Sequence, residues 1–546
     1  MPPQLSLLTV LDHPSRDAFE RTVRAVLPQA GDWEWLLADP QDTPWVRERL
    51  AELTAAEPRV RVVEAANGAG LAAAAHGEYV AVLGQHDRLH SRALERIGAA
   101  LATDGYDVVY GDEGMIDEAG ERRAVHRRPE WSPERLRHQD YLGRLTVVRR
   151  STLASAGGLG ATDDLGLYDL HLRISEHTDR VARVPYILCE TPVPATDGVA
   201  AATAAREARI GVVQQHLDRS GIEATAGPGK LPELVQVDRR PDATTTVSVI
   251  IPTIGTRARI WGEPRTLVTE TVRSMAESSR RHAVEFVVVY DDPTPPAVLD
   301  ELRAIPGVTL QLVPFHEKFN FAAKCNVGAI KATGDVLVFL NDDVQASGTD
   351  VLDRLVAPLR EPEVGATGAK LLFEDGRIQH AGVRYGPSVY HAYYREPADS
   401  PGALGELWVN REVSALTGAC LAVRRSDYWA VGGFSESLPS NYNDVDLCFK
   451  LRRDGLRLLW LHDVVLHHFE SVTRDGSVSD WEMATIEARW GDSDKRERFV
   501  NNVRTLRKRG GLRTRLANRV RQRRERLRRA ALNRKAKRAD QRRILR

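Results

Sequence analysis

The sequence predicts an α/β chain: two related domains in tandem, each a mostly parallel sheet with helices on both faces, followed by a basic helical tail. Three observations carry that prediction. Apolar runs of strand length alternate with helix-like stretches, the pattern of a parallel sheet buried on both sides. The two halves repeat one another in order, and a repeat this long is a duplicated domain rather than a solenoid unit. The composition then turns basic towards the end of the chain.

Each half opens on a β-like run, Leu5-Ser6-Leu7-Leu8-Thr9-Val10 and Val247-Ser248-Val249-Ile250-Ile251-Pro252. A helix-like stretch follows, then a second strand (Trp35 to Ala38; Phe286 to Tyr290), an acid and a proline-rich turn. Further on, Gly77 to Leu83 matches Gly334 to Leu340. Val148-Arg149-Arg150-Ser151 with Gly157-Gly158 matches Val423-Arg424-Arg425-Ser426 with Gly432-Gly433, and Tyr168-Asp169-Leu170 matches Val445-Asp446-Leu447. Between the halves, Ala200 to Leu217 reads as an alanine-rich helix, and Gly227-Pro228-Gly229 and Pro241 punctuate what remains. The expected division is a first domain at 1–195, a linker with a helix at 196–240, a second domain at 241–475 and a basic helical tail at 476–546. In that tail Leu512, Leu516, Val520, Leu527 and Ala531 form a narrow apolar stripe.

A hydrophobic content of 42% is ordinary for soluble protein. No apolar run reaches the length of about 18 residues that a membrane-spanning helix needs. The start, Met1-Pro2-Pro3-Gln4-Leu5, lacks the basic and apolar regions of a signal peptide. Cys189, Cys325, Cys420 and Cys448 are scattered and read as reduced, cytosolic core thiols. The net charge of +1 hides an asymmetry: residues 501–546 hold twenty Lys/Arg and two acids, a net of +18, which leaves −17 on the rest. An acidic body with a basic tail points to an anionic surface as partner. An arginine-rich amphipathic helix can lie on anionic lipid or bind nucleic acid nonspecifically; a membrane surface is expected rather than nucleic acid if the substrate is itself lipid-linked.

The chemistry concentrates in two acid clusters. Asn341-Asp342-Asp343 follows the apolar run Val336 to Leu340, and Asn443-Asp444-Val445-Asp446 opens a helix-like stretch. Carboxylates at a strand's carboxyl end are placed to hold a divalent cation; Asp343, with Asp342 second to it, is the candidate donor, and a simple strand-ending turn is the alternative. Asp444 can take a proton from a hydroxyl or cap the helix, with Asp446 closer to the cap. Asp291 can accept a hydrogen bond from the imide N–H of uracil or thymine, or serve the turn Asp291-Asp292-Pro293-Thr294. One imidazole of His467-His468 can complete a metal shell, and Arg474 can pair with a diphosphate. Gly418 permits a close backbone approach. A cation beside a base suits transfer of a group away from a diphosphate.

Taken together, these residues resemble the bacterial family 2 glycosyltransferases of GT-A fold, and more narrowly the tandem, rhamnosyltransferase-like type of O-antigen and cell-wall polysaccharide assembly. The resemblance spans about residues 5 to 475 and rests on Val247 to Thr253, Phe319-Asn320-Phe321 with Asn326-Val327-Gly328, and Phe339 to Asp343. It continues through Gln379-His380-Ala381-Gly382-Val383, Val413 to Cys420, Asn443 to Leu447 and His468-Phe469-Glu470-Ser471. It implies a dTDP- or UDP-sugar donor, Mg²⁺ or Mn²⁺, inversion at the anomeric carbon, and a glycan or lipid-linked glycan acceptor met at the cytoplasmic face of the plasma membrane. The family's nucleotide-binding acid falls on Asp291, beside the Pro252-Thr253 backbone. Its D-x-D motif falls on Asn341-Asp342-Asp343, where Asn in the first place leaves Asp343 as the best ligand. Its base falls on Asp444 and its metal histidine on His468.

The first half departs from the pattern, with Gly84-Gln85-His86 for D-x-D and Leu167 for the base. It is expected to lack transfer activity; a divergent site on Asp87 and Asp112 is the alternative. Two other functions compete for the whole chain. A sugar nucleotidyltransferase would need a glycine-rich loop, and Thr253-Ile254-Gly255-Thr256-Arg257 has one glycine. A non-enzymatic scaffold would not need Asp343, Asp444 and His468.

Overall fold

A computed structural model describes residues 3–103, 105–117, 119–193, 199–385, 389–469, 479–491, 498–499 and 502–505. Arg474 and the tail beyond 505, with its expected apolar stripe, lie outside the described residues.

Each half builds one sheet, and the two sheets share a strand order. In the second half the order is Thr309–Phe315, Ala283–Asp291, Thr246–Thr253, Val336–Leu340, Cys420–Arg424, Val364–Leu372, Arg457–His468 and Val344–Ala346. In the first half it is Val60–Val62, Trp33–Ala38, Leu5–Val10, Tyr79–Val82, Val147–Arg149, Val108–Ile116, Val181–Pro192 and Arg88–Leu89. The first four strands of each run parallel and the fifth turns antiparallel. Both faces are buried, which is why these strands read as continuous apolar runs. On one face of the second sheet Ile250, Val287 and Phe339 pack on Ala322, Cys325 and Ala329 of helix Phe321–Lys331. On the other, Val249, Val288 and Val338 pack on Val268 and Val272 of helix Leu267–Ala276. All four cysteines are buried thiols.

The repeat extends to a buried polar peg. Ser248 Oγ donates to Glu285 Oε1 across the parallel pair (2.5 Å) and accepts from Gly334 N (2.8 Å). Ser6 does the same with Glu34 (2.7 Å) and Gly77 N (2.9 Å). Glu285 also accepts from Thr333 N at 2.6 Å, and Glu34 from His76 N at 2.6 Å. The glycines are required by close approach: a Cβ on Gly334 or Gly77 would lie 2.7 Å from the backbone nitrogen of Ser248 or Ser6.

Residues 196–240 are not a free tether where described. Helix Val199–Arg219 and the hairpin Ala224–Pro228/Val235–Arg239 pack Val213, Leu217, Val235 and Val237 onto Tyr110, Leu136, Tyr168 and Leu172 of the first half. The tail expected to be helical begins with helix Asp480–Trp490, but Asn502–Thr505 is a strand, paired antiparallel to the otherwise open edge strand Arg122–Arg127. Two of its four residues are β-branched, and the unpaired edge of that strand supplies the ladder. Among the described residues no helix is long and apolar enough to cross a membrane.

Gly334→Ala is expected to destabilise the protein by about 2 kcal/mol, because the added methyl meets backbone that cannot yield cheaply; denaturant unfolding reads this directly.

Candidate active site

The carboxyl ends of the second sheet's strands gather the acids that the sequence singled out. Val336–Leu340 delivers Asn341, Asp342 and Asp343; Thr246–Thr253 ends at Pro252-Thr253; Ala283–Asp291 ends on Asp291 itself; Arg457–His468 ends on His468. Thr253 Oγ1 donates to Asp342 Oδ2 at 2.5 Å. Asn341 N donates to Ala419 O at 3.2 Å, which joins this row to the Gly418 segment. Gly418 N in turn donates to Asp444 Oδ2 at 2.9 Å. A continuous run of contacts thus connects Asp291, Thr253, Asp342, Asp343, His468 and Asp444. Arg474 lies outside the described residues.

The link between Asp291 and Thr253 is a residue that sequence reasoning missed. Lys324, on helix Phe321–Lys331, is only 1% exposed. Its Nζ donates to Asp291 Oδ2 (2.9 Å) and Thr253 O (2.8 Å). Burial lowers its pKa, and the hydrogen bond to Asp291 works the other way. The signal was present: a lone lysine among Ala322, Ala323 and Cys325 has to find an anion. Asp291 serves the turn: its carbonyl accepts from Thr294 N, while its side-chain Oδ1 is buried without a hydrogen-bond partner.

Asp343 and His468 face each other. His468 Nε2 lies 3.1 Å from Asp343 Oδ1, and that oxygen has no hydrogen-bond donor. Nδ1 of His468 donates to Gln379 Oε1 at 2.6 Å, and Asn341 Nδ2 donates to Nε2 at 3.1 Å. With its proton on Nδ1, the imidazole turns the Nε2 lone pair towards the carboxylate. Two lone pairs so placed repel unless a cation or a proton lies near both, and an imidazole nitrogen with a carboxylate oxygen is a donor set that Mg²⁺ or Mn²⁺ accepts. The residues therefore fit a divalent cation, with the remaining ligands to come from a substrate: among the described residues no three His, Cys, Asp or Glu side chains converge as a complete metal cage. Asn341 holds the histidine, which is what the substitution in the first motif position does.

The two adjacent acids are driven apart. Burial, reinforced by the neighbouring Asp343, pushes Asp342 up to about 7. Asp343 is held below its ordinary value: burial opposes this, and the His468 ring, where it carries a second proton, outweighs it.

Asp444 sits in the first turn of helix Asn443–Arg453, half-buried, and its Oδ1 accepts from Val445 N at 2.8 Å. The residue before the helix, Tyr442, has φ +60°, a strained conformation for a side chain of this size. It is held from behind by helix Asp480–Trp490. Glu482, 2% exposed, accepts from Ser440 N (3.1 Å), Asn441 N (2.8 Å), Asn441 Nδ2 (2.9 Å) and Ser479 Oγ (2.6 Å). Asp446, fully buried, accepts from Trp490 Nε1 (2.9 Å) and Arg489 (3.1 Å). The two acids of that motif are thus divided: Asp446 anchors a helix, and Asp444 faces the cleft wall at Gly418.

Comparison with known proteins follows from this geometry. The family model described as "Glycosyltransferase like family 2" matches residues 244–493, and "Glycosyl transferase family 2" matches residues 13–155. The chain belongs to glycosyltransferase family 2. It is 32% identical over 491 residues to O-antigen biosynthesis protein RfbC of Myxococcus xanthus, covering 86% of this chain and 38% of that protein. It is 30% identical over 151 residues to N-acetylglucosaminyl-diphospho-decaprenol L-rhamnosyltransferase of Mycobacterium tuberculosis, covering 24% of this chain and 47% of that one. The chain spans less than half the length of either relative. Among solved structures, GalNAc-T7 with UDP, GalNAc and Mn²⁺ aligns at a TM-score of 0.38 and 16% identity, over 55% of this chain and 58% of that one.

The same positions in the first half of this family 2 chain carry other chemistry. By strand register Leu11 stands for Thr253, Pro40 for Asp291 and Thr191 for His468. Leu167, in the place of Asp444, packs among Leu8, Val80 and Leu170. The loop after its first strand is tied to the motif position: Asp12 N donates to Gln85 Oε1 (2.8 Å), Gln85 Nε2 to Asp12 O (2.7 Å) and Ser15 N to His86 Nε2 (3.2 Å). Asp112 is paired with Arg183 at 2.6 Å, and Asp87 Oδ2 accepts from Gly84 N at 2.8 Å.

Two outcomes are expected. Gln379→Leu removes the acceptor that sets the His468 tautomer and weakens Mn²⁺ binding by about 10- to 100-fold, while Gln379→Glu retains it; free Mn²⁺ measured by electron paramagnetic resonance distinguishes them. Glu482 is held down to about 2 from an ordinary 4.5: burial opposes this, and the hydrogen bonds from Asn441 and Ser479 outweigh it. A depressed carboxyl contributes stability above its unfolded pKa and loses it as pH falls towards the folded one. Glu482→Gln should therefore cost about 2 kcal/mol at neutral pH, and its deficit against wild type should shrink as pH drops from 4.5 to about 2, followed by denaturant midpoints.

Proposed function

We propose that residues 241–475 transfer a sugar, with inversion, from a nucleotide-diphosphate donor to a glycan hydroxyl, using a divalent cation, and that residues 1–195 carry no transfer chemistry. The observation that carries this reading is the unpartnered Asp343 Oδ1 set 3.1 Å from the His468 lone pair, at the end of the same strands that bring in Asp291 and, through Gly418, Asp444.

Asp343 and His468 would hold Mg²⁺ or Mn²⁺. When bound, the cation offsets charge that builds on the departing diphosphate. The chain's own residues supply the rest. Asp291 Oδ1, on the floor of the cleft, receives the imide N–H of uracil or thymine beside the Pro252-Thr253 backbone, which suits a UDP- or dTDP-sugar. Lys324 keeps the other Asp291 oxygen occupied, so the carboxylate presents one acceptor in one direction. Asp342 braces Thr253. Asp444 takes the proton of the acceptor hydroxyl as its oxygen bonds to the anomeric carbon, while the bond from that carbon to the diphosphate oxygen breaks on the opposite face. Arg474 is assigned to the diphosphate. The acceptor is a glycan, lipid-linked in keeping with a basic segment at 501–546 that would hold the enzyme against an anionic membrane.

The first half supports a non-catalytic role by substitution: a leucine at 167 takes no proton, and a glycine at 84 offers a metal no side-chain ligand.

With Mn²⁺ and a panel of dTDP- and UDP-sugars, the wild type should release nucleoside diphosphate slowly in the absence of acceptor, and Asp343→Ala should not. Asp444→Asn should bind Mn²⁺ and donor normally and lose roughly 10²- to 10⁴-fold in kcat, the usual worth of a positioned base. Normal turnover by Asp444→Asn would remove the base from this scheme.

A further inference from the structure

The first half has lost its own site, yet its side chains enter the second half deeply. Helix Pro133–His138 is the point of entry. Arg135, 0% exposed, donates to Glu406 Oε2 at 3.1 Å, and Glu406 is also fully buried. Arg135 Nη2 and Gln139 Nε2 both donate to Leu404 O, at 3.4 and 2.9 Å. Leu404 has φ +56° between Gly402 and Gly405, both also at positive φ. A leucine in that region is strained, so the 402–405 turn is held in shape from the first half. A little further along, Ser132 Oγ donates to Glu412 Oε2, and Glu134 N donates to Glu412 Oε1 at 3.1 Å.

Both contacts lead towards the candidate active site. From the Glu406 backbone, Arg411 Nε accepts the connection by donating to Glu406 O (3.1 Å), and its Nη2 donates to Ala381 O (2.7 Å), with the guanidinium lying 4.9 Å from the Trp460 ring. Ala381 follows Gln379 and His380, and Gln379 is the residue that orients His468. Glu412 lies on the short strand Arg411–Glu412, which pairs with the strand that ends at His468. Beyond Glu412 the chain runs through Ser414 to Gly418, whose N–H holds Asp444. Two routes therefore leave the first half, each a set of polar contacts continued by a short run of chain, one ending at His468 and one at Asp444.

We propose that the catalytically empty first half is a positioning domain, in which Arg135, Gln139 and Ser132 clamp the 402–412 segment and thereby set His468 and Asp444 for catalysis. This rests on the reading of His468 as a cation ligand. Arg135 and Gln139 are positioning residues: neither touches the cleft. The clamp explains why a half without its own site retains fully buried charges aimed at its neighbour.

The deciding variant is Arg135→Met with Glu406→Gln in the full chain, which removes both charges of the clamp together, a kind of replacement that is often neutral for stability, while the buried Arg411 keeps its hydrogen bonds to the Glu406 and Ala381 carbonyls. The readouts are Mn²⁺ affinity by electron paramagnetic resonance, with Mn²⁺ alone as probe, and melting temperature. The proposal expects Mn²⁺ affinity about tenfold weaker, the size of effect seen when support behind a ligand is lost, at a melting temperature within a few degrees of wild type. Gln139→Ala, which removes the donor to Leu404 O and the acceptor of Arg135 Nε and Nη2, should weaken Mn²⁺ about threefold and serves if the double variant does not fold. Wild-type Mn²⁺ affinity in either folded variant overturns the proposal. If the wild-type chain itself binds no Mn²⁺, or binds it equally well as His468→Ala, the reading of the cation site falls instead.

Discussion

The chain depends on a buried seam of ionised side chains between its halves. Glu134, fully buried, is met by Arg137 at 3.0 Å and Arg239 at 2.6 Å. Glu361 is met by the same two arginines at 2.7 Å each. Arg457 adds Glu412 at 2.7 Å. Glu134 and Glu361 are held below their ordinary values; burial opposes this, and Arg239 outweighs it for both. Taking charges out of water costs several kcal/mol each, and only good geometry repays it. Such a network adds little net stability but tolerates few arrangements. Arg239 follows the first half, Arg137 belongs to it, and Glu361 and Glu412 belong to the second. The seam thus holds the two sheets in one relation through contacts that a sliding interface would leave uncompensated.

The two sheets show how much of a duplicated fold is indifferent to chemistry. The Ser–Glu–Gly peg survives in both copies because it satisfies groups buried between parallel strands wherever that crossing occurs. Gly143 and Gly418 occupy one register position beside the antiparallel fifth strand. Their amide protons have different fates: Gly418 N meets Asp444 at 2.9 Å, and Gly143 N meets Asp140 at 3.3 Å. With leucine at 167 the helix offers that N–H no carboxylate, and Asp140 accepts it instead.

Much of this was legible in the sequence. The repeat, the strands and the acid clusters showed because parallel strands are apolar along their length and their ends are not. Val336 to Leu340 is a strand at those same residues. Other features were hidden for stated reasons. Lys324 was overlooked because a lysine on a helix is ordinarily a surface residue, and only the apolar neighbours on both sides mark it. Gln379 looked like one letter of a motif, since an amide's partner is fixed by a strand pairing 89 positions away. The strand Asn502–Thr505 was obscured by the arginines around it, whose charge reads as a solvated helix. The seam was least visible, because the pairs that cross between the halves join residues as many as 280 positions apart.

What distinguishes the four acids of the cleft is their neighbours rather than their type. Asp291 is paired with a buried ammonium and leaves its other oxygen without a hydrogen-bond partner. Asp342 lies next to Asp343 in a dry setting where two negative charges compete, and it is the one with a hydroxyl rather than an imidazole beside it, so the proton resides there. Asp343 is held down by a proton on the His468 ring that faces it. Asp444 alone is half-exposed, its oxygens accepting from the Val445 and Gly418 N–H groups. Three of the carboxylates are therefore confined to the ends of the parallel strands, and the fourth stands across the Gly418 wall from them. That separation is a consequence of topology: the parallel strands bring the first three together, and the fifth, antiparallel strand, entering from the opposite direction, brings the fourth to meet them.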